Sequence, residues 1–139
     1  MSTCRLIKCK KGIDEGCVTA AGFVDFRKAF DRVNHQLLQK KLPGYGINNH
    51  ELRWFKNYLT SRCQSVVYGS VQSTPQQIKS GVPQGSILGP ILFSIYTNDL
   101  PNCLLQSKIL LYADDAVLFY ADSNIGNIST VLNKDLKQL

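Results

Sequence analysis

The chain has 139 residues, of which 44% are hydrophobic, so it is long enough for one ordinary domain with a buried core. Its formal net charge of +6 favours a polyanionic partner. The five cysteines contain no Cys-x-x-Cys pair and lie far from both histidines, which argues against a zinc site. Without a secretory leader we expect reduced thiols and an intracellular protein, in the nucleus or the cytoplasm. No apolar run approaches the ~20 residues that span a bilayer, so no membrane contact is expected.

The first third of the chain predicts an edge segment, a buried strand and a helix. Ser2 to Gly16 mixes basic and apolar residues and is expected at the edge of a core. Cys17 to Phe26 is a run of small apolar residues typical of a buried strand, with Asp25 near its end. Apolar residues then recur at helical spacing from Phe26 to Leu38, and Pro43-Gly44 ends this predicted helix.

The middle of the chain predicts a second helix followed by a hairpin. Asn48 and Glu51 have the spacing of a capping box, which indicates a helix start. Gln64 to Val71 alternates enough for a strand, with Gln76 to Lys79 as its hairpin partner. The turn between them is expected at residues 73–75.

The last part predicts a loop, a helix, a hairpin and a final helix. Gly81 to Pro90 is rich in glycine and proline and permits close approach of another chain or a ligand. A helix follows it and ends near Pro101. Lys108 to Ala121 reads as a tight hairpin, and Ser123 or Asn124 caps the final helix.

Adjacent carboxylates, Asp114 and Asp115, stand at the tip of this apolar hairpin. Like charges side by side repel unless a cation lies between them, and hard oxygen ligands suit Mg²⁺. The alternative is a solvated turn that contains two acids. Asp25 is unusual in the same way, because an unpaired carboxylate buried at a strand end costs several kcal/mol.

Three segments, in order, resemble the A, B and C blocks of the reverse transcriptase palm, most closely in non-LTR (LINE-like) retrotransposons. They are Phe23 to Val33, Ser80 to Pro90, and Tyr112-Ala-Asp-Asp115. The resemblance implies an α+β fold over residues 1–139, with a palm-type antiparallel sheet packed on helices. It implies a partial right-hand polymerase lacking most of the fingers and the thumb, which are normally in the same chain.

The resemblance also implies a two-metal reaction. Asp25 and Asp114 would hold two magnesium ions, with Mn²⁺ as the substitute ion, roughly 3.5–4 Å apart. Asp115 would assist and the backbone carbonyl of Phe26 would be a further ligand. The activity implied is RNA-directed DNA polymerisation, in which a primer 3′-hydroxyl attacks a deoxynucleoside triphosphate. The implied partners are an RNA template, a DNA primer and deoxynucleotides.

Three further positions match the family in contacts with the nucleotide. Phe30 matches the steric gate that disfavours a 2′-hydroxyl; the alternative is a core residue, because Phe30 also lies on the apolar stripe of the predicted helix. Gln84 and Gly85 match residues that contact the nascent base pair and the template. Three other acids are expected to be solvated or capping groups: Asp31, Asp99 and Asp122.

The sequence leaves two alternatives to a polymerase palm. The chain could be a truncated, catalytically inactive remnant that binds nucleic acid or a partner. It could also be another magnesium-dependent phosphotransferase, but that class gives no account of the loop from Val82 to Gly85.

Overall fold

A computed structural model describes residues 6–9 and 17–139, so the expectation for Ser2 to Gly16 lies outside the described residues except for one strand. The chain mixes helices with antiparallel sheet, as the sequence predicts. In chain order the helices and strands are β1 (Leu6–Cys9), β2 (Val18–Asp25), α1 (His35–Lys41), α2 (Asn49–Thr60), β3 (Cys63–Gln64), β4 (Val67–Tyr68), β5 (Val71–Gln72), β6 (Gln76–Gln77), α3 (Leu88–Thr97), β7 (Lys108–Tyr112), β8 (Asp115–Asp122) and α4 (Ile125–Leu136).

The described residues form two compact units. The first combines residues from Met1–Arg27 with Thr97–Leu139, and the second spans Lys28–Tyr96. We call them the sheet unit and the helical unit. Within the described residues, no helix is both long and apolar enough to cross a bilayer.

The sheet unit is built on four antiparallel strands in the order β1-β2-β8-β7. β2 confirms the predicted buried strand, and β7 and β8 confirm the predicted hairpin. α4 packs on the sheet, and Asn124 caps it as predicted by accepting hydrogen bonds from the backbone N–H groups of Gly126 and Asn127. The buried core of this unit consists of Ala20, Val24, Ala116, Leu118, Ile128 and Leu132.

The helical unit packs α1, α2 and α3 around a second core, which consists of Val33, Leu38, Leu42, Leu59, Val82, Leu92 and Phe93. The predicted second helix is confirmed as α2, but Asn48 makes no side-chain capping hydrogen bond, so the capping box is wrong. The predicted helix after the glycine-rich loop is confirmed as α3, with Pro90 in its first turn.

The predicted continuous helix from Phe26 to Leu38 is wrong. Only a short 3₁₀ turn forms at Phe30–Arg32, and α1 begins at His35. The carbonyls of Phe30 and Val33 accept hydrogen bonds from the distant backbone N–H groups of Val82 and Gly81, at 2.9 and 2.8 Å. These carbonyls are therefore engaged outside any helix, and the Asn34 side chain caps a new start.

A hairpin arm, residues 63–77, projects from the helical unit. The predicted strand from Gln64 to Val71 is wrong, because the chain already reverses at Gly69-Ser70, where Gly69 has a φ of +60°. β3 pairs with β6 at the base and β4 with β5 at the tip. Gln76 and Gln77 pair with Gln64 and Cys63, so the predicted hairpin partner is confirmed for these two residues, but the turn lies nearer the start of the arm than residues 73–75.

One buried acid was not predicted. Asp135 lies on α4 with only 1% of its surface exposed, and its carboxylate accepts backbone hydrogen bonds from Leu105, Gln106 and Ser107 at 3.0, 3.2 and 2.7 Å. The Ser107 hydroxyl donates a fourth. Burial by itself raises the pKa of Asp135, but the hydrogen bonds from Ser107, Leu105 and Gln106 outweigh it and lower the pKa to about 2. The sequence does contain a signal for this burial, because Asp135 follows Ile128 and Leu132 at the spacing of one helix face.

Replacing Asp135 by Asn tests this anchor. The folded-state pKa lies below the ordinary value of 3.8, so the stabilisation is present above about pH 4 and is lost as the pH falls towards 2. We expect Asp135→Asn to lower the free energy of unfolding at neutral pH by about 2 kcal/mol, because an amide nitrogen cannot accept hydrogen bonds. The variant should also lose less stability than the wild type on acidification, measured by urea unfolding at about pH 7 and about pH 3.

Glu51→Gln is the control for this experiment, because Glu51 is an exposed acid on α2. Its acid sensitivity should match that of the wild type. Parallel loss of stability in the wild type and in Asp135→Asn would contradict the assignment.

Candidate active site

Two of the three predicted site carboxylates face each other across the central strand pair of the sheet unit. β2 ends at Asp25, β8 begins at Asp115, and these two residues are direct register partners. Directly opposed residues in an antiparallel pair lie on the same face of the sheet with Cβ atoms about 4.5–5.5 Å apart. Asp25 and Asp115 are thus neighbours although they lie 90 positions apart in the sequence, as a shared metal site would require.

Asp114 lies next to this pair, in the two-residue turn that joins β7 to β8. The turn requires a positive φ at its first residue, and Ala113 adopts +52° although it is not glycine. Such a conformation costs an alanine roughly 1–2 kcal/mol, which the flanking strands must offset. The predicted hairpin with acids at its tip is therefore confirmed, and the turn fixes where Asp114 leaves the sheet.

The solvent exposure of the three acids differs from the sequence argument. Asp25 and Asp115 are exposed and Asp114 is half-buried. The prediction of a buried charge at Asp25 is therefore wrong, because its carboxylate is exposed at the open end of a strand. Exposure leaves these oxygens accessible to a cation and to a phosphate-bearing ligand.

The donor chemistry of this pair suits Mg²⁺. Within the part of the chain that the structure describes, no three His, Cys, Asp or Glu side chains form a group that could hold a metal ion. The register does bring Asp25 and Asp115 together, and Asp114 precedes Asp115 in the turn between β7 and β8. Proteins commonly bind Mg²⁺ through one or two carboxylates, with waters and substrate phosphates completing the octahedron.

Phe30, the predicted steric gate, lies in the helical unit and is half-buried. Its ring packs on Phe93, with centroids 4.6 Å apart and the planes at 31°. Its backbone carbonyl accepts the hydrogen bond from Val82. Phe30 thus has the contacts of a core residue, which is the alternative that the sequence left open, and its role as a gate stays a prediction.

Gln84 and Gly85 lie on the exposed loop before α3. The Gln84 side-chain amide donates to Asp31 Oδ1 at 2.8 Å, so Asp31 is not merely a solvated acid. Gly85 has a φ of +76° and open space around it. Asp122 accepts hydrogen bonds from the backbone N–H of Asn124 and from the side-chain amide of Asn127, so it supports the start of α4, although the cap itself is Asn124.

Gly81 joins the A-block and B-block segments within the helical unit. Its N–H donates to Val33, and its carbonyl accepts from the buried His35 Nε2 at 2.7 Å. Because a carbonyl only accepts, the proton of His35 lies on Nε2. Gly81 has a φ of +88°, and a Cβ added there would lie 2.8 Å from the Asp31 backbone. Only glycine satisfies both conditions.

Comparison with known proteins gives the family. Residues 6–139 match the family model described as "Reverse transcriptase (RNA-dependent DNA polymerase)". The chain belongs to the reverse transcriptase family. The resemblance recognised in the three sequence blocks is confirmed, including its assignment to non-LTR retrotransposons.

Three relatives illustrate how this reverse transcriptase chain aligns. It is 39% identical to the "Probable RNA-directed DNA polymerase from transposon BS" of Drosophila melanogaster, over 74% of the chain and 12% of that protein. It is 34% identical to the "RNA-directed DNA polymerase from mobile element jockey" of Drosophila funebris, over 82% and 13%. It is 29% identical to the type-1 retrotransposable element R2 polyprotein of Popillia japonica, over 68% and 18%. The chain thus spans less than a fifth of each.

A pair of glycine substitutions tests the junction at Gly81. Gly81→Ala should lower the free energy of unfolding through both the positive φ and the contact with the Asp31 backbone. Gly46→Ala is the matched control, because Gly46 has a φ of +81° but nothing within 4 Å of an added Cβ. We expect Gly81→Ala to lose about 1–3 kcal/mol more than Gly46→Ala in urea unfolding. Equal losses would show that the close approach is unimportant.

Proposed function

We propose that residues 1–139 form the palm domain of an RNA-directed DNA polymerase, which adds deoxynucleotides to a DNA primer on an RNA template. The observation that carries this proposal is the direct pairing of Asp25 with Asp115, beside Asp114, in a chain of the reverse transcriptase family. The relatives are much longer than the chain, so we assign the fingers and the thumb to other segments of a longer protein.

The carboxylates of Asp25 and Asp114 are proposed to hold two Mg²⁺ ions, for which Mn²⁺ can substitute, with Asp115 assisting and the Phe26 carbonyl as a further oxygen ligand. Bound metal would supply Lewis acidity that activates the primer 3′-hydroxyl and neutralises the triphosphate. The part of the chain itself is to position charge, since phosphoryl transfer requires little covalent chemistry from side chains. The strand pairing supports this role because it fixes Asp25 against Asp115 before substrate arrives.

Asp31 supports the proposed nucleotide contact of Gln84 by setting its orientation. An ionised carboxylate can only accept hydrogen bonds, so the amide nitrogen of Gln84 must face Asp31 and the amide oxygen is turned away. Gln84 would then offer an acceptor to the nucleotide. Gly85, without a side chain, would let the base pair approach the backbone closely.

Primer extension on an RNA template with Mg²⁺ tests the catalytic proposal. Asp114→Asn should reduce the extension rate by several powers of ten, because one metal-binding charge is lost. Glu51→Gln, which removes an exposed acid of the helical unit, should extend at the parent rate. Equal rates for the parent and Asp114→Asn would contradict the assignment. An inert parent that still binds an RNA–DNA hybrid would favour the inactive-remnant alternative.

Ribonucleotide incorporation tests Phe30 separately. We propose that its ring excludes the 2′-hydroxyl, so Phe30→Ala should raise the incorporation of ribonucleotides relative to deoxynucleotides by about tenfold or more. Phe55→Ala is the control, because Phe55 packs on the same core. If the two variants lose similar stability and neither changes sugar discrimination, Phe30 acts in packing alone.

A further inference from the structure

A polar cavity of about 590 Å³ lies within the helical unit at the base of the hairpin arm. Its walls come from residues within 28–31, 62–64 and 77–84, which are distant in the sequence. The backbone N–H of Ile78 donates to the carbonyl of Arg62 at 2.9 Å, and the Gln77 amide donates to the carbonyl of Thr60 at 3.4 Å. These bonds hold the two sides of the arm together beside the cavity.

The charge lining this cavity is predominantly positive. Lys28, Arg62 and Lys79 contribute cations, whereas Asp31 contributes one carboxylate. One oxygen of that carboxylate already accepts the hydrogen bond from Gln84. The cavity therefore carries an excess of positive charge that favours an anionic ligand.

Arg62 lines this cavity, and its guanidinium group carries a donor that is unpaired within the described part of the chain. Its Nη1 atom is buried and, among the residues described, has no hydrogen-bond partner. A buried guanidinium N–H without an acceptor is unfavourable, so such groups are normally paired with protein, water or ligand oxygens. The planar guanidinium group matches the oxygens of a phosphate in bidentate geometry, which makes arginine well suited to bind one here.

The remaining lining residues indicate which part of a nucleic acid would bind. Several are amides or hydroxyls that hydrogen-bond to phosphate or sugar oxygens, among them Gln64, Gln77 and Ser80. None of the described residues that line the cavity is aromatic, so it offers no ring on which a base could stack. Recognition by these groups would depend on the backbone of the strand and not on its sequence.

We propose that this cavity binds the phosphodiester groups of a single nucleic-acid strand through Arg62, Lys28 and Lys79. The identity of that strand as a template rests on the proposed function, but its binding requires neither the carboxylates nor catalysis. Phosphate is also present in a nucleoside triphosphate, so the experiment must distinguish these two sources.

Fluorescence anisotropy with a labelled single-stranded oligouridylate measures this binding to the full chain, without Mg²⁺ or nucleotides. Arg62→Gln should weaken binding by about tenfold. It should also reduce the slope of log K against log salt by about 0.7, the value for one lost phosphate contact. Arg53→Gln is the matched control, because Arg53 is an exposed arginine on α2 outside the cavity. It should change both quantities much less.

Lys79→Gln keeps the test decisive if Arg62→Gln does not fold, as judged by circular dichroism. Because Lys79 is exposed, its replacement should leave the fold intact, and Lys79→Gln should weaken oligouridylate binding as Arg62→Gln does. Equal effects of the Arg53 substitution and the cavity substitutions would overturn the proposal, because they would indicate a diffuse electrostatic attraction. A nucleoside triphosphate, added at the same concentration of phosphate groups, should leave the oligouridylate bound. Its displacement from the wild type would overturn the assignment to a strand.

The readout also separates this proposal from the catalytic one. Primer extension could fail while oligouridylate binding remains sensitive to Arg62, which would preserve the cavity proposal and weaken the polymerase proposal. The reverse result would preserve catalysis and place strand binding elsewhere.

Discussion

The antiparallel pairing of β2 with β8 is the constraint on which the candidate active site depends. Its register runs without interruption from Val18 opposite Asp122 to Asp25 opposite Asp115. Ala20 and Val24 on β2 are buried in the core with α4, whereas Phe23 and Asp25 between and beyond them are exposed. A shift of one residue would exchange these faces and place a carboxylate in the core. Core packing on one face of the sheet thus fixes the register that places Asp25 opposite Asp115 on the other face.

The acids of the sheet unit show how local environment separates a structural carboxylate from the carboxylates proposed to bind metal. Asp135 is buried, and hydrogen bonds from Ser107 and its neighbours hold its pKa near 2. The carboxylate of Asp135 is therefore satisfied by donors within the protein, and its hydrogen bonds connect the segment before β7 to α4. Asp25 and Asp115 are exposed, so their oxygens remain accessible from solvent. The two kinds of acid look alike in composition but are distinguished by donors within hydrogen-bonding distance.

In the helical unit, a close backbone contact at Gly81 positions the residues around it. Gly81 approaches the backbone of Asp31 so closely that no side chain fits, and the buried His35 donates to its carbonyl. Through this approach Asp31 reaches Gln84, and the same residues form part of the wall of the basic cavity. One close contact therefore orients a proposed nucleotide-binding amide and shapes a proposed phosphate site. Both roles rest on a glycine whose importance is steric.

The sequence by itself determined the family, the buried strand β2, the acidic hairpin and the cap at Asn124, because these depend on local periodicity, turn chemistry and contiguous motifs. Tertiary structure alone decided where the helix after Asp25 breaks, since carbonyls there bond to Gly81 and Val82 about 50 positions away. It also decided the anchoring of Asp135, the exposure of Asp25 and the cavity around Arg62. Each of these depends on which distant donors, acceptors and charges come within bonding distance, and local spacing indicates at most the helix face on which a residue such as Asp135 lies.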